Sequence, residues 1–138
     1  MKLFLDANIL FTAAYSEQGT SRALFRLAEV CRCSLITSAY AADEARRNLA
    51  VKAPTVLTEF EKLLKSVAVV REPAPAVAAR MKQLPLVDKD APIMAAAVEA
   101  GADILVTGDR KDFARLFGQE VEGVLVLNPS GTLDIILK

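Results

Sequence analysis

Five short aliphatic runs recur along this chain of 138 residues, and each is separated from the next by a longer stretch with helical spacing. The runs fall at residues 3–5, 34–37, 67–70, 104–107 and 124–127, and all read as strands. Strands that alternate with helices imply a parallel sheet covered on both faces. The expected fold is therefore a three-layer α/β/α sandwich around a five-stranded parallel sheet, with residues 1–138 forming one domain.

The intervening stretches carry helix signals. An apolar run at 8–14 precedes a polar break at 16–20, after which Thr20 or Ser21 can cap a helix bearing Leu24, Leu27, Ala28 and Cys31. Ser38 can cap a helix running through Leu49, with Ala41, Ala45 and Leu49 on its buried stripe. Pro54 opens another, with Val56, Phe60, Leu63 and Leu64 on one face. Pro73 and Pro75 break the chain before a helix over 77–84. Asp90 then stands as an N-cap, Pro92 lies in the first turn, and an alanine-rich helix stops at Gly101.

Composition removes whole classes of chemistry. The chain has no histidine, which excludes Ser-His and Cys-His nucleophile pairs, histidine general-base chemistry and most zinc sites. Cys31 and Cys33 have no second pair; they read as small buried side chains in a reducing compartment. Seventeen basic and seventeen acidic residues give a net charge of zero, so charge alone does not favour nucleic acid. A nucleic-acid substrate would need a local patch, a metal or a partner. Asp6 interrupts the first apolar run too early for a signal peptide, and no apolar stretch reaches the roughly 20 residues that span a bilayer. A soluble, cytoplasmic protein with no membrane partner is expected.

Four acids fall where the chain changes direction. Asp6 follows the first strand, Glu44 lies near the start of a helix, Asp90 precedes another, and Asp109 lies just past the fourth strand. Ligands in open α/β sheets bind outside the carboxyl ends of the strands, where strand order reverses. Carboxylates gathered there repel one another unless a cation compensates them. Hard, oxygen-preferring Mg²⁺ or Mn²⁺ suits such a set, as one ion or two. Each acid also has a plain structural reading, as a turn residue, a cap or a solvated helix surface.

The ordered set Leu5-Asp6-Ala7-Asn8-Ile9-Leu10, Glu44, Asp88-Lys89-Asp90-Ala91-Pro92-Ile93 and Thr107-Gly108-Asp109-Arg110-Lys111-Asp112-Phe113 resembles the PIN-domain family over essentially the whole chain. The resemblance implies a metal-dependent endoribonuclease that hydrolyses RNA phosphodiesters with metal-activated water, leaving 5′-phosphate and 3′-hydroxyl ends. It makes Asp6, Glu44, Asp90 and Asp109 the catalytic, metal-binding positions, with Asn8, Thr107, Asp88 and Asp112 in support. Many members of the family are toxins of toxin–antitoxin pairs, which implies an antitoxin partner, and a homodimer is expected. Arg110 and Lys111 are candidates for holding substrate phosphate. Arg46 and Arg47 fit either RNA binding or a solvated face, Asp43 should face water, and Tyr40 is expected to pack rather than to stack on a base.

Other functions fit less well. A non-catalytic PIN-like module that binds RNA or protein is the alternative, and manganese-dependent cleavage of single-stranded RNA separates the two. A receiver-type phosphoaspartyl domain would need its acceptor after the third strand, where Val70 is followed by Arg71-Glu72-Pro73. A haloacid-dehalogenase-type phosphatase would need a second Asp at position 8, which is Asn8.

Overall fold

Leu3, Phe4 and Leu5 have no exposed surface, and they make β1 (Lys2–Leu5) the central rail of the molecule. The computed structural model describes residues 1–86, 89–108, 113 and 116–138. With β2 (Ser34–Ser38), β3 (Ala68–Val70), β4 (Ile104–Val106), β5 (Glu120–Val121) and β6 (Val124–Leu127), it forms a sheet of order β3-β2-β1-β4-β6-β5. Leu3 pairs with both Leu35 and Ile104, and Val106 pairs with both Leu5 and Leu127.

The five strands expected from sequence are all present and mutually parallel. The correction is a sixth. β5 runs antiparallel to β6 through a two-residue turn at Glu122 and Gly123. Both have positive φ, at 47° and 90°, as a type I′ hairpin requires. A two-residue strand followed by Glu-Gly, instead of the strong Asn-Gly or Asp-Gly signal, leaves little trace in sequence.

Among the described residues seven α-helices fill the connections: α1 (Ala7–Tyr15), α2 (Thr20–Glu29), α3 (Ala39–Lys52), α4 (Leu57–Leu64), α5 (Pro75–Met81), α6 (Ala91–Glu99) and α7 (Pro129–Ile136). From β1 to β3 the chain steps one way across the sheet, and from β3 to β4 it returns past β2 and β1. Right-handed crossovers then put α1–α4 on one face and α5 and α6 on the other. The contacts agree: α1 touches α2, α3 and α4, α2 touches α7, and α6 packs along α5 and lies on β2 and β4. The reversal of strand order leaves a crevice between the ends of β1 and β4.

Local chemistry explains most helix boundaries. Ser38 caps α3 by accepting from the Ala41 amide at 3.1 Å, and Ala41, Ala45 and Leu49 are fully buried, as the spacing predicts. Small side chains there let α3 lie close to α1 and α6. Pro54 opens a single 3₁₀ turn (Pro54–Val56) that leads into α4. Gly101, at φ 67°, ends α6 with its own amide on Val98 and the Ala102 amide on Ala97.

Three helix expectations need correction. The cap of α2 is Gly19, with no side-chain capping bond, because Ser21 turns its hydroxyl to Thr12 at 2.7 Å instead. Helix α5 begins at Pro75 and ends at Met81, since proline is suited to a first turn and does not delay it. Helix α7 was not expected at all, yet Asn128 caps it by accepting from the Gly131 amide at 2.7 Å, and Pro129 occupies its first position. Of the two cysteines only Cys33 is buried; Cys31 is exposed, against expectation, at φ 61° just past α2.

Candidate active site

Asp6 ends β1 and caps α1, and only 3 % of its surface is exposed. A carboxylate this deep must be compensated, and three donors hold it. The Ala7 amide donates to Oδ1 at 2.7 Å, and the Thr107 hydroxyl donates to Oδ2 at 2.7 Å. The Asn8 amide nitrogen donates to Oδ2 at 3.2 Å and also lies 3.3 Å from the Thr107 hydroxyl. Asn8 then accepts from the Gly108 amide at 2.8 Å through its own Oδ1. A closed ring of hydrogen bonds thus spans the crevice between β1 and β4. Bonds of 2.7 Å to an ionised oxygen belong to the strong, charge-assisted kind. Asn8 and Thr107, the two polar residues singled out in the sequence, both hydrogen-bond Asp6.

The other described acids approach from the neighbouring helices. Asp90 is the residue before α6 and is 6 % exposed; its side chain makes no capping hydrogen bond there. Glu44 is half-buried on α3, in the second turn and not the first. The two share a neighbourhood at Tyr40. Burial, followed by the negative charges of Glu44 and Asp90, pushes the Tyr40 phenol above its ordinary range, while Arg47 and Lys89 oppose them. Tyr40 itself is 37 % exposed, so the expectation of a packed aromatic is corrected. Asp43 is exposed and bonded to Arg46 at 2.8 Å, facing water as expected.

Asp109, Asp88, Asp112, Arg110 and Lys111 lie outside the described residues. Among the described residues no three acidic or cysteine side chains stand close enough to hold a metal ion by themselves. The described candidate donors are nonetheless of one kind. Asp6 and Asp90 carry buried carboxylates, Glu44 a half-buried one that shares the surroundings of Tyr40 with Asp90, and the chain has no histidine. Oxygen-only donors of high charge density fit a hard divalent cation and not zinc. An open groove of about 480 Å³ leads away from Asn8 and Gly108, past Thr12, Ser16 and Ser21 towards Pro129.

A parallel sheet with its polar crevice at the strand-order reversal defines a doubly wound α/β protein with an acidic carboxyl-edge site. The PIN domain profile matches residues 2–111, and the chain belongs to the PIN-domain family. Solved structures share the fold. VapBC2 from Rickettsia felis, bound to a DNA fragment from its promoter, superposes with a TM-score of 0.70 at 19 % identity, covering 93 % of this chain and 98 % of that one. VapBC-1 from nontypeable Haemophilus influenzae gives 0.62 at 17 %, covering 94 % and 99 %. FitAcB from Neisseria gonorrhoeae gives 0.63 at 18 %, covering 93 % and 98 %. No curated protein matches the chain. Among the described residues no helix is long and apolar enough to cross a membrane.

Proposed function

We propose that this chain is a Mg²⁺- or Mn²⁺-dependent endoribonuclease and the toxin of a toxin–antitoxin pair. What carries the proposal is the carboxylate of Asp6, buried at the strand-order reversal and pinned by its donors; Asp90 and Glu44, which share the surroundings of Tyr40, are assigned to the same site on the family pattern. Ordinary capping needs neither that burial nor three donors on one carboxylate. Asp6, Glu44, Asp90 and Asp109 are the residues that would hold one or two ions. When bound there, such an ion supplies positive charge that activates water and stabilises the leaving oxygen of a phosphodiester.

The chain's own residues do the rest. Thr107 and Asn8 fix the plane of the Asp6 carboxylate, so one orientation persists whether or not a cation is present. Arg110 and Lys111 are assigned to the substrate phosphate, and Asp88 and Asp112 to support. The toxin reading draws on the family together with the VapBC and FitAB structures that share its fold. It assigns an antitoxin as protein partner, and a homodimer as the working form.

The test is cleavage of a generic single-stranded RNA by the purified protein. Activity should vanish in chelator, return with manganese or magnesium, and be lost in Asp6→Asn and in Asp90→Asn. Cleavage that survives exhaustive chelation, or that both variants retain at the wild-type rate, would overturn the assignment. A small adjacent reading frame whose product co-purifies with the chain and silences it tests the toxin role.

A further inference from the structure

Tyr40 lies in the first turn of α3, and Glu44 and Arg47 follow at spacings of four and seven residues. Those spacings line the three side chains along one side of the helix. Tyr40 and Arg47 are exposed, and Glu44 is half-buried. Helix α3 packs against α6, and exposed Lys89 and buried Asp90, just before α6, are near enough to act on the Tyr40 phenol. Tyr40 thus shares its surroundings with two cations and two of the acids assigned to the site.

Arg47 differs from its neighbour in a way that matters. Arg46 is committed: it bridges Asp43 and Glu61 at 2.8 and 2.9 Å and lies over the Phe60 ring. Arg47 makes no hydrogen bond or ion pair among the described residues, and so keeps its guanidinium available. The face carrying Tyr40 and Arg47 therefore presents an aromatic plane and a planar cation with no structural duty to either.

We propose that Tyr40 is a stacking platform for an unpaired base beside the acidic crevice, with Arg47 and Lys89 gripping the phosphates on either side of it. A base must be splayed out before it can lie on the ring. This rests on the nuclease reading and names a residue that positions its substrate. It also answers how a chain of zero net charge holds a polyanion: locally, by this ring and its two cations together with Arg110 and Lys111, without a general basic field. Stacking on the ring tolerates any base, so little sequence preference comes from this contact.

The chain contains two tyrosines and no tryptophan, so Tyr15→Phe leaves Tyr40 as its only strong ultraviolet emitter. In that background, with Asp6→Asn to prevent cleavage, a short oligoadenylate should quench the emission, and the matching RNA duplex should not. Binding followed by anisotropy of a labelled strand should weaken roughly 5- to 100-fold in Tyr40→Ala and hardly at all in Tyr40→Phe. In the active enzyme Tyr40→Ala should raise KM with little change in kcat. Removing Arg47 or Lys89 should each flatten the slope of log affinity against log salt by about 0.7. Tight binding without quenching, or a Tyr40→Phe protein as weak as Tyr40→Ala, overturns the platform and leaves the nuclease reading standing. Failure of wild-type protein both to bind and to cleave single strands retires both.

Discussion

Thr107→Val removes one hydroxyl from the most buried part of the site and leaves its volume filled. Thr107 is 0 % exposed, and its hydroxyl lies 2.7 Å from Asp6 Oδ2. It is shorter than the bond from Asn8, which stands at 3.2 Å and divides its amide with the Thr107 oxygen. A hydrogen bond to a charged group contributes about 1.5–3 kcal/mol. At this chain length each kcal/mol moves the melting temperature by roughly 3–5 °C, so metal-free Thr107→Val should melt roughly 5–15 °C below wild type. Freed to rotate, Asp6 should also hold a cation less well. Loss of such supporting groups typically costs about 10- to 100-fold in metal affinity or activity.

Thr107→Ser separates the hydrogen bond from packing. It keeps the hydroxyl and deletes a methyl, at a cost of about 0.5–1.5 kcal/mol for the small cavity. Thermal unfolding of the metal-free proteins and manganese titration of RNA cleavage should both rank wild type first, Ser second and Val last. If Val matches wild type and Ser is the weaker, Thr107 is a packing residue. The ring around Asp6 then does not orient the carboxylate.

Gly108 accompanies this ring, yet it does not have positive φ, and a Cβ built there would meet Asn8 Oδ1 at an ordinary 3.4 Å. Gly108→Ala keeps the amide that Asn8 accepts and should leave unfolding within about 0.5 kcal/mol of wild type by urea titration. Cys31 ends α2 with the same pair of amide bonds that Gly101 makes after α6, but as a left-handed non-glycine residue. Cys31→Gly should therefore raise stability by about 0.5–1 kcal/mol, which calorimetry will read as a higher melting temperature. The Arg80 guanidinium pulls the Glu122 carboxyl below its ordinary range. Its folded-state value is then the lower one, so the stabilisation is present at neutral pH and lost as pH falls through that depressed value. Glu122→Gln should lower stability slightly near neutrality and converge with wild type in acid, as urea titrations across pH will show.

What sequence conveys about this fold is what is local. The strand runs, the Ser38 cap, the Ala41/Ala45/Leu49 stripe and the Gly101 stop each depend on neighbours within a few residues, and all are present. Features set by distant partners were not legible. Thr20 and Ser21 have the composition of caps, but the proximity of Thr12 across the α1–α2 turn diverts Ser21. Arg22 looks like any helix-surface cation, yet it is buried, donating to the Ala13 carbonyl at 2.7 Å and facing Glu59 at 3.3 Å. The surroundings of Tyr40 include Lys89 and Asp90 from the far side of the chain, which no window around residue 40 contains. Helix α7 is different: the Asn128-Pro129 start signal was present, and the short apolar stretch after it, bearing Leu133, Ile135 and Ile136, was too brief to mark a helix.

The same division between local and distant governs the site. Asp6 and Ala7 are adjacent, and their bond survives in any chain that starts this helix. The bonds from Thr107 to Asp6 and from Gly108 to Asn8 join residues 101 and 100 positions apart. They exist only while β1 and β4 are paired, with Leu5 beside Val106. The orientation of Asp6 therefore reports on the centre of the sheet, and loosening of the β1–β4 pairing disorders the carboxylate before the chain unfolds. Helix-borne Glu44 and Asp90 depend instead on α3 and α6 staying packed across small alanine side chains. Under the proposed assignment, two separate packing contacts position the acids. The crevice should accordingly be sensitive to core mutations that leave overall secondary structure unchanged.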